Sequence, residues 1–274
     1  MRYMGGKFRQ SKAIVQCLKP YFNDNTVYVE PFAGGLNSAA RVARELHPRR
    51  MILNDDNQSL ILMHEKCYKE GVDWLPLDVS RDTFNKYKAT QPMDDPLTAW
   101  IGIGYCLMSD WYHSYAPYVA EGTKRGHERC MQWLRCCDDV AFTCSDYRNF
   151  SIPDDAVVYC DPPYDAKGCY HNKQFDISTF WQWARDLSKR CTVFVSCFSY
   201  PPDFEEVHSW GDTVSIKHRK TGAEKRRVEN ERLVRYCAAQ KGKVQEDSFQ
   251  QHRHPSQGGK DREAGRGNRH EQSG

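Results

Sequence analysis

The sequence predicts an α/β fold built on a largely parallel sheet covered on both faces. Two observations carry that expectation. Short apolar strands alternate with segments of helical apolar spacing, and polar residues gather where the strands end. In open α/β sheets those ends are where ligands bind.

Taken in order, Val27-Tyr28-Val29-Glu30-Pro31-Phe32 is rich in β-formers and runs into Gly34-Gly35. Leu36 to Leu46 then has helical spacing, so strand, tight turn and helix follow one another. Met51-Ile52-Leu53 is a second strand ending at Asn54-Asp55-Asp56-Asn57, with a helix continuing through Leu60, Ile61 and His64. Val140 to Cys144, Val157 to Cys160 and Thr192 to Ser196 are three further strands, and a helix near Ser178 to Leu187 separates the last two. Between about Lys66 and Asp139 the rhythm changes to mixed helix and loop signals with many aromatics. Tyr105, Trp111, Tyr112, His113, Tyr115 and Tyr118, with Lys124 and Arg125 beside them, read equally as a base-stacking surface or as the core of a helical insert. After about Ala239, Val244, Phe249 and Ala264 are the sole apolar residues, so a disordered tail is expected.

Composition excludes several classes. The formal charge over 274 residues is +3, and the last 35 residues carry seven Lys/Arg against five Asp/Glu, leaving +1 for the rest. A near-neutral body argues against a general nucleic-acid binder and permits a local basic cleft, at Lys124, Arg125 and Arg129 or within Lys217 to Arg227. The twelve cysteines contain no Cys-x-x-Cys pair, which removes the usual zinc spacings, and no metal is expected. Cys144, Cys160, Cys191, Cys197 and Cys237 lie in apolar runs, where reduced, buried thiols are expected. No apolar run approaches the roughly 20 residues needed to cross a bilayer. The N-terminus lacks the apolar segment of a secretory signal, so a cytoplasmic protein is expected.

The sharpest chemical signal is Asp161-Pro162-Pro163-Tyr164, directly after the strand Val157-Val158-Tyr159-Cys160. Two prolines stiffen the backbone at the strand's polar edge. One rigid loop thus holds a carboxylate, a carbonyl and an aromatic ring. An exocyclic amino group can donate to Asp161 and to the Pro162 carbonyl while its ring stacks on Tyr164.

With this loop, three further blocks follow in a fixed order: Arg2-Tyr3-Met4-Gly5-Gly6-Lys7, Val29-Glu30-Pro31-Phe32-Ala33-Gly34-Gly35, and Asn54-Asp55-Asp56-Asn57. On these four blocks the chain resembles the Dam-type, or D12-class, DNA adenine-N6 methyltransferases. The resemblance covers residues 1 to 164 and continues more weakly through Val195-Ser196 to Arg227-Val228-Glu229. It implies a Rossmann-like S-adenosylmethionine-dependent methyltransferase sheet with an inserted, mostly helical DNA-recognition subdomain. The catalytic domain would comprise 1–65 and 140–238, the insert 66–139 and the tail 239–274.

The resemblance also implies site residues. Asp161, Pro162 and Tyr164 would be catalytic. Tyr3, Lys7, Glu30, Phe32, Gly34, Gly35, Asp55, Asp146 and Asp161 would line the cofactor site, with Asp55 on the ribose hydroxyls and Asp146 near the adenine. The glycines would let the methionine moiety approach the turn. The family usually has a further glycine where Leu36 stands. Asp55 has a competing reading as a helix N-cap, which Asp56 or Asn57 can equally fill.

The implied partner is double-stranded DNA with a flipped adenine, and a monomer or weak dimer is expected. The absence of a Pro-Cys pair disfavours cytosine-C5 chemistry, and Asp161 in place of serine disfavours cytosine-N4. An RNA or protein-glutamine methyltransferase, or a catalytically weak DNA-binding relative, remains as an alternative. No stretch of the insert matches GATC-reading loops, and phage protection, restriction-modification and host regulation are indistinguishable at this level.

Overall fold

Five parallel strands form the body of the sheet: β1 (Val27–Glu30), β2 (Arg50–Asp55), β3 (Val140–Cys144), β4 (Val157–Cys160) and β5 (Thr192–Cys197). Two strands absent from the sequence reading complete it. These are β6 (Phe204–Trp210) and β7 (Glu231–Tyr236), and β7 is antiparallel to both β5 and β6. The order is β3-β2-β1-β4-β5-β7-β6. The computed structural model describes residues 1–163, 175–211 and 230–237. Tyr164, Lys217 to Arg227, Val228-Glu229 and the tail after Ala239 lie outside the described residues.

Strand periodicity sorts side chains to two faces. Tyr28, Leu53, Tyr159, Phe194 and Leu233 point into one core with α1 (Ser11–Leu18), α2 (Asn37–Leu46) and α3 (Gln58–Glu70). Val29, Ile52, Val158, Val195 and Val234 point into a second core covered by α7 (Ile177–Leu187). Both faces are therefore covered, as expected of a parallel sheet. Asn57 caps α3 by accepting the Leu60 N–H at 3.2 Å, and Asp176 caps α7 through Ser178 and Thr179. The cap role is thus taken by Asn57, leaving Asp55 to other work.

Between β2 and β3 lie α3, α4 (Arg81–Thr90), α5 (Pro96–Gly104) and α6 (Ala120–Leu134). The position 65/66 falls inside α3, and Trp100, Tyr105, Tyr112 and Leu134 are buried in the same cluster as Leu53 and Tyr159. The helical segment therefore shares the sheet's core. Of the aromatics offered as a stacking surface, Tyr105 and Tyr112 are buried, while Tyr118 is 76% exposed. Lys124 donates to the Leu75 carbonyl at 3.1 Å, and Arg125 pairs with Glu121.

The cysteine expectation needs one correction. Cys160 and Cys197 are buried, whereas Cys144 is exposed and Cys191 and Cys237 are half-buried. β3 is an edge strand, so its last residue has no covering neighbour on one side. No disulfide and no cluster of metal-ligating side chains occurs among the described residues. Among them, no helix is long and apolar enough to cross a membrane.

Candidate active site

Chain order reverses across β1: β2 and β3 lie to one side, β4 and β5 to the other. At such a switch point the loops leaving adjacent strands part, opening a crevice beyond their carboxyl ends. Glu30 to Leu36 leave β1 there, Asp161-Pro162-Pro163 leave β4, and Asp55 and Asp146 follow β2 and β3. Three of the four sequence blocks, with Asp146, meet this edge through strand topology. The N-terminal block reaches it by packing.

That packing centres on the glycine turn. Gly34 has φ +44°, and a Cβ there would stand 2.9 Å from Tyr3 Cε1. A Cβ on Gly35 would stand 2.5 Å from Tyr3 Cβ. The turn is glycine because the Tyr3 side chain lies on it, besides any approach by a ligand. Leu36, with φ 61°, adopts the left-handed conformation directly before α2.

Both polar groups of Gly34 are held. Its N–H donates to Asp55 Oδ2 at 3.0 Å, and its carbonyl accepts from His64 Nε2 at 2.7 Å. Because a carbonyl can only accept, His64 carries its proton on Nε2. Burial drops the His64 pKa to about 3, so the ring stays neutral. Asp55 also accepts the Asn57 N–H at 3.1 Å, and burial raises its pKa to about 6. Asn54 ties three strand ends together by donating to Pro31 and Ser145 carbonyls at 3.0 and 2.9 Å.

Lys7 runs from the N-terminal block to the end of β4. Its ammonium, 4% exposed, lies 2.8 Å from Asp161 Oδ1 and 3.1 Å from Glu231 Oε1, and donates to the Gly5 carbonyl at 2.9 Å. Burial alone would lower its pKa, but Asp161 and Glu231 together raise it. Asp161 is 19% exposed and Pro162 is buried. Glu30 is 1% exposed and accepts from Tyr28 Oη at 2.6 Å. Its burial pushes the carboxyl up to about 8, so it holds a proton at neutral pH.

Phe32 packs with Tyr147 and Phe180 at ring separations of 5.2 and 5.8 Å, forming an aromatic wall beside the crevice. Asp146 is partly exposed and pairs with Arg148 at 2.6 Å. Sequence reasoning missed Glu231, His64 and Asn54. The period-two pattern Glu231, Leu233, Arg235 was a usable signal for Glu231, had its strand been recognised.

These residues suit a nucleoside-bearing cofactor. An acid ends β2, where each Asp55 oxygen keeps a lone pair for a diol, an aromatic wall stands beside it, and a left-handed glycine turn lies between. On the β4 side, Asp161 offers a partly exposed carboxylate with one oxygen engaged by Lys7.

Residues 3–93, a third of the chain, match the family model described as D12 class N6 adenine-specific DNA methyltransferase. That range holds the first block from Tyr3 onward and the next two blocks, and stops short of Asp161. No curated protein matches the chain. Among solved structures the chain is similar to a methylase-type protein of Haemophilus influenzae at 12% identity and TM-score 0.34, over 84% of this chain and 97% of that one. It is also similar to an rRNA methylase of Streptococcus thermophilus at 8% identity and TM-score 0.33, over 85% and 97%. A third, SMU.472, was solved as a complex with SAH, at 10% identity and TM-score 0.35, over 86% and 54%.

Proposed function

We propose that the chain is an S-adenosylmethionine-dependent methyltransferase that methylates the exocyclic N6 amino group of a flipped adenine in double-stranded DNA. The observation that supports it best is Asp161 at the switch point, partly exposed and held by Lys7 across from the glycine turn and Asp55. The family match over residues 3–93 supports the same class of chemistry.

In this reading Asp55 holds the cofactor ribose, Phe32 and Asp146 flank its adenine, and Tyr3, Lys7, Glu30, Gly34 and Gly35 shape the remainder. Bound there, S-adenosylmethionine supplies an electrophilic methyl group. The chain's own residues do the rest. Lys7 holds Asp161 Oδ1, which fixes in place the carboxylate that accepts an amino N–H. With the Pro162 carbonyl accepting the second N–H, the nitrogen lone pair is turned away from the loop, and Tyr164 stacks on the base. The proton released from nitrogen is taken up at Asp161 and passed to water. Reaching the loop requires the base to leave the helix, at a cost of a few kcal/mol. Orientation of nitrogen against methyl then supplies much of the rate.

The test is tritiated methyl transfer to DNA, RNA and protein by the wild type and Asp161→Ala. Label in DNA adenine that disappears in the variant is expected, assayed below its melting temperature, which the loss of one Lys7 partner should lower. Label in RNA or protein, or full activity in Asp161→Ala, refutes the proposal.

A further inference from the structure

Strand periodicity brings an unexpected group to this site. Tyr28 and Glu30 share one face of β1, and Tyr159 is aligned with Phe194 on the same face of the neighbouring strands. Asp161 and Ser196 continue that face two residues on, and Leu233 pairs with Ser196. Stepping back by two from Leu233 places Glu231 there as well. Lys7 enters from the chain's other end and lies between Asp161 and Glu231 at 2.8 and 3.1 Å. Glu231 is 3% exposed, and Gln10 Nε2 reaches its second oxygen at 3.4 Å.

We infer that Glu231 is a positioning residue for methyl transfer: it holds the Lys7 ammonium against Asp161 Oδ1 and so fixes the Asp161 carboxylate where it meets the substrate amino group. The inference rests on the methyltransferase reading for its kinetic part and on geometry for the rest. A lysine stem with four rotatable bonds does not by itself hold its ammonium in one place. A second buried carboxylate on the far side does, because leaving either charge unpaired in that environment is costly. Other described polar groups of the cluster have partners of their own. Glu30 is bonded to Tyr28, and the Tyr159 and Ser196 hydroxyls pair with each other at 2.7 Å. Cys160, between Tyr159 and Asp161, faces the other side of β4 and is buried in the second core.

Two carboxylates raise the Lys7 pKa, so neutralising one must lower it. Glu231→Gln keeps the shape and removes the charge. Glu231→Asp keeps the charge and withdraws it by one methylene. The full chain labelled with ¹³Cε-lysine is titrated by NMR, the Lys7 signal being assigned by its loss in Lys7→Met. The Lys7 titration is expected at lower pH in Glu231→Gln than in wild type. Methyl transfer to DNA is measured in parallel across pH. Wild type, Glu231→Asp and Glu231→Gln are expected in descending order of kcat, with Glu231→Gln down about tenfold to a hundredfold. KM for S-adenosylmethionine should change little, and the alkaline limb of kcat should move to lower pH in Glu231→Gln.

An unshifted Lys7 titration, or wild-type kcat and alkaline limb in Glu231→Gln, overturns the inference. If Glu231→Gln does not fold, Glu231→Asp with wild-type kcat overturns it instead. A wild type inactive on DNA, RNA and protein would defeat the functional reading, while the lysine titration would still decide whether Glu231 holds Lys7.

Discussion

Gly34→Ala tests why the turn after β1 needs glycine. The alanine must adopt φ +44°, which costs an L-residue about 1–2 kcal/mol. Its methyl would also stand 2.9 and 3.3 Å from Cε1 and Cδ1 of Tyr3. Overpacking of this kind costs about 1–3 kcal/mol, and the lower half applies because a half-buried ring can yield. The substitution should therefore destabilise the wild type by about 2–4 kcal/mol. Tyr3→Ala removes the ring atoms and leaves the backbone strain, so in that background the cost should fall to about 1–2 kcal/mol. Urea unfolding of the four proteins, read through midpoint and slope, gives the coupling directly. A coupling of about 1 kcal/mol or more is expected. If Gly34→Ala costs the same in both backgrounds to within about 0.5 kcal/mol, the ring is not what enforces glycine, and the packing account fails.

Two further predictions follow from the buried acids. Glu30 keeps its proton in the fold until about pH 8, against an ordinary 4.5. The unfolded chain ionises first, so wild-type stability falls as pH rises through that window and is not lowered further above it. Glu30→Gln removes the penalty, and its stability relative to wild type should grow by an amount on the order of 3 kcal/mol between pH 5 and 8. A flat difference in urea melts across that range would rule this out. Asp55→Ala should weaken S-adenosylmethionine binding at least tenfold by calorimetry and also loosen the Gly34 turn, since the carboxylate serves both; unchanged affinity would remove Asp55 from the site.

Strong local patterns were legible in the sequence. Val140 to Cys144 and Val157 to Cys160 are strands at those same residues, because short runs of apolar residues without helical spacing have little alternative. β6 and β7 were not legible. Phe204–Trp210 carries two glutamates and a histidine, and Glu231–Tyr236 carries two arginines and a glutamate, so neither reads as a buried strand. The pairing of β7 with β5 and of β6 with β7 is decided by the sheet, which turns Leu233 and Val234 into its two cores. The same holds for the site. Motifs place Asp55, Asp161 and the glycine turn, each beside its own strand. Glu231, His64 and Asn54 act through partners 23 or more residues away, and no short window of sequence contains both members.

Leu36 bears on how the departure from the family's glycine pattern is to be weighed. Its left-handed backbone, φ 61° and ψ 19°, is the conformation that a glycine supplies without strain. A leucine held there pays about 1–2 kcal/mol. Yet the side chain is fully buried in the core with Ala39, Ala40 and Leu60, and burying a leucine contributes about 1.5–3 kcal/mol. The two terms are of similar size and opposite sign, so the turn keeps its shape with leucine in place of glycine. The position follows Gly34 and Gly35, whose open face is covered by Tyr3, whereas Leu36 points inward beneath α2. What the substitution removes is backbone freedom. What remains is the geometry on which the site depends: Gly34 N–H on Asp55, its carbonyl on His64, and Tyr3 seated over the turn.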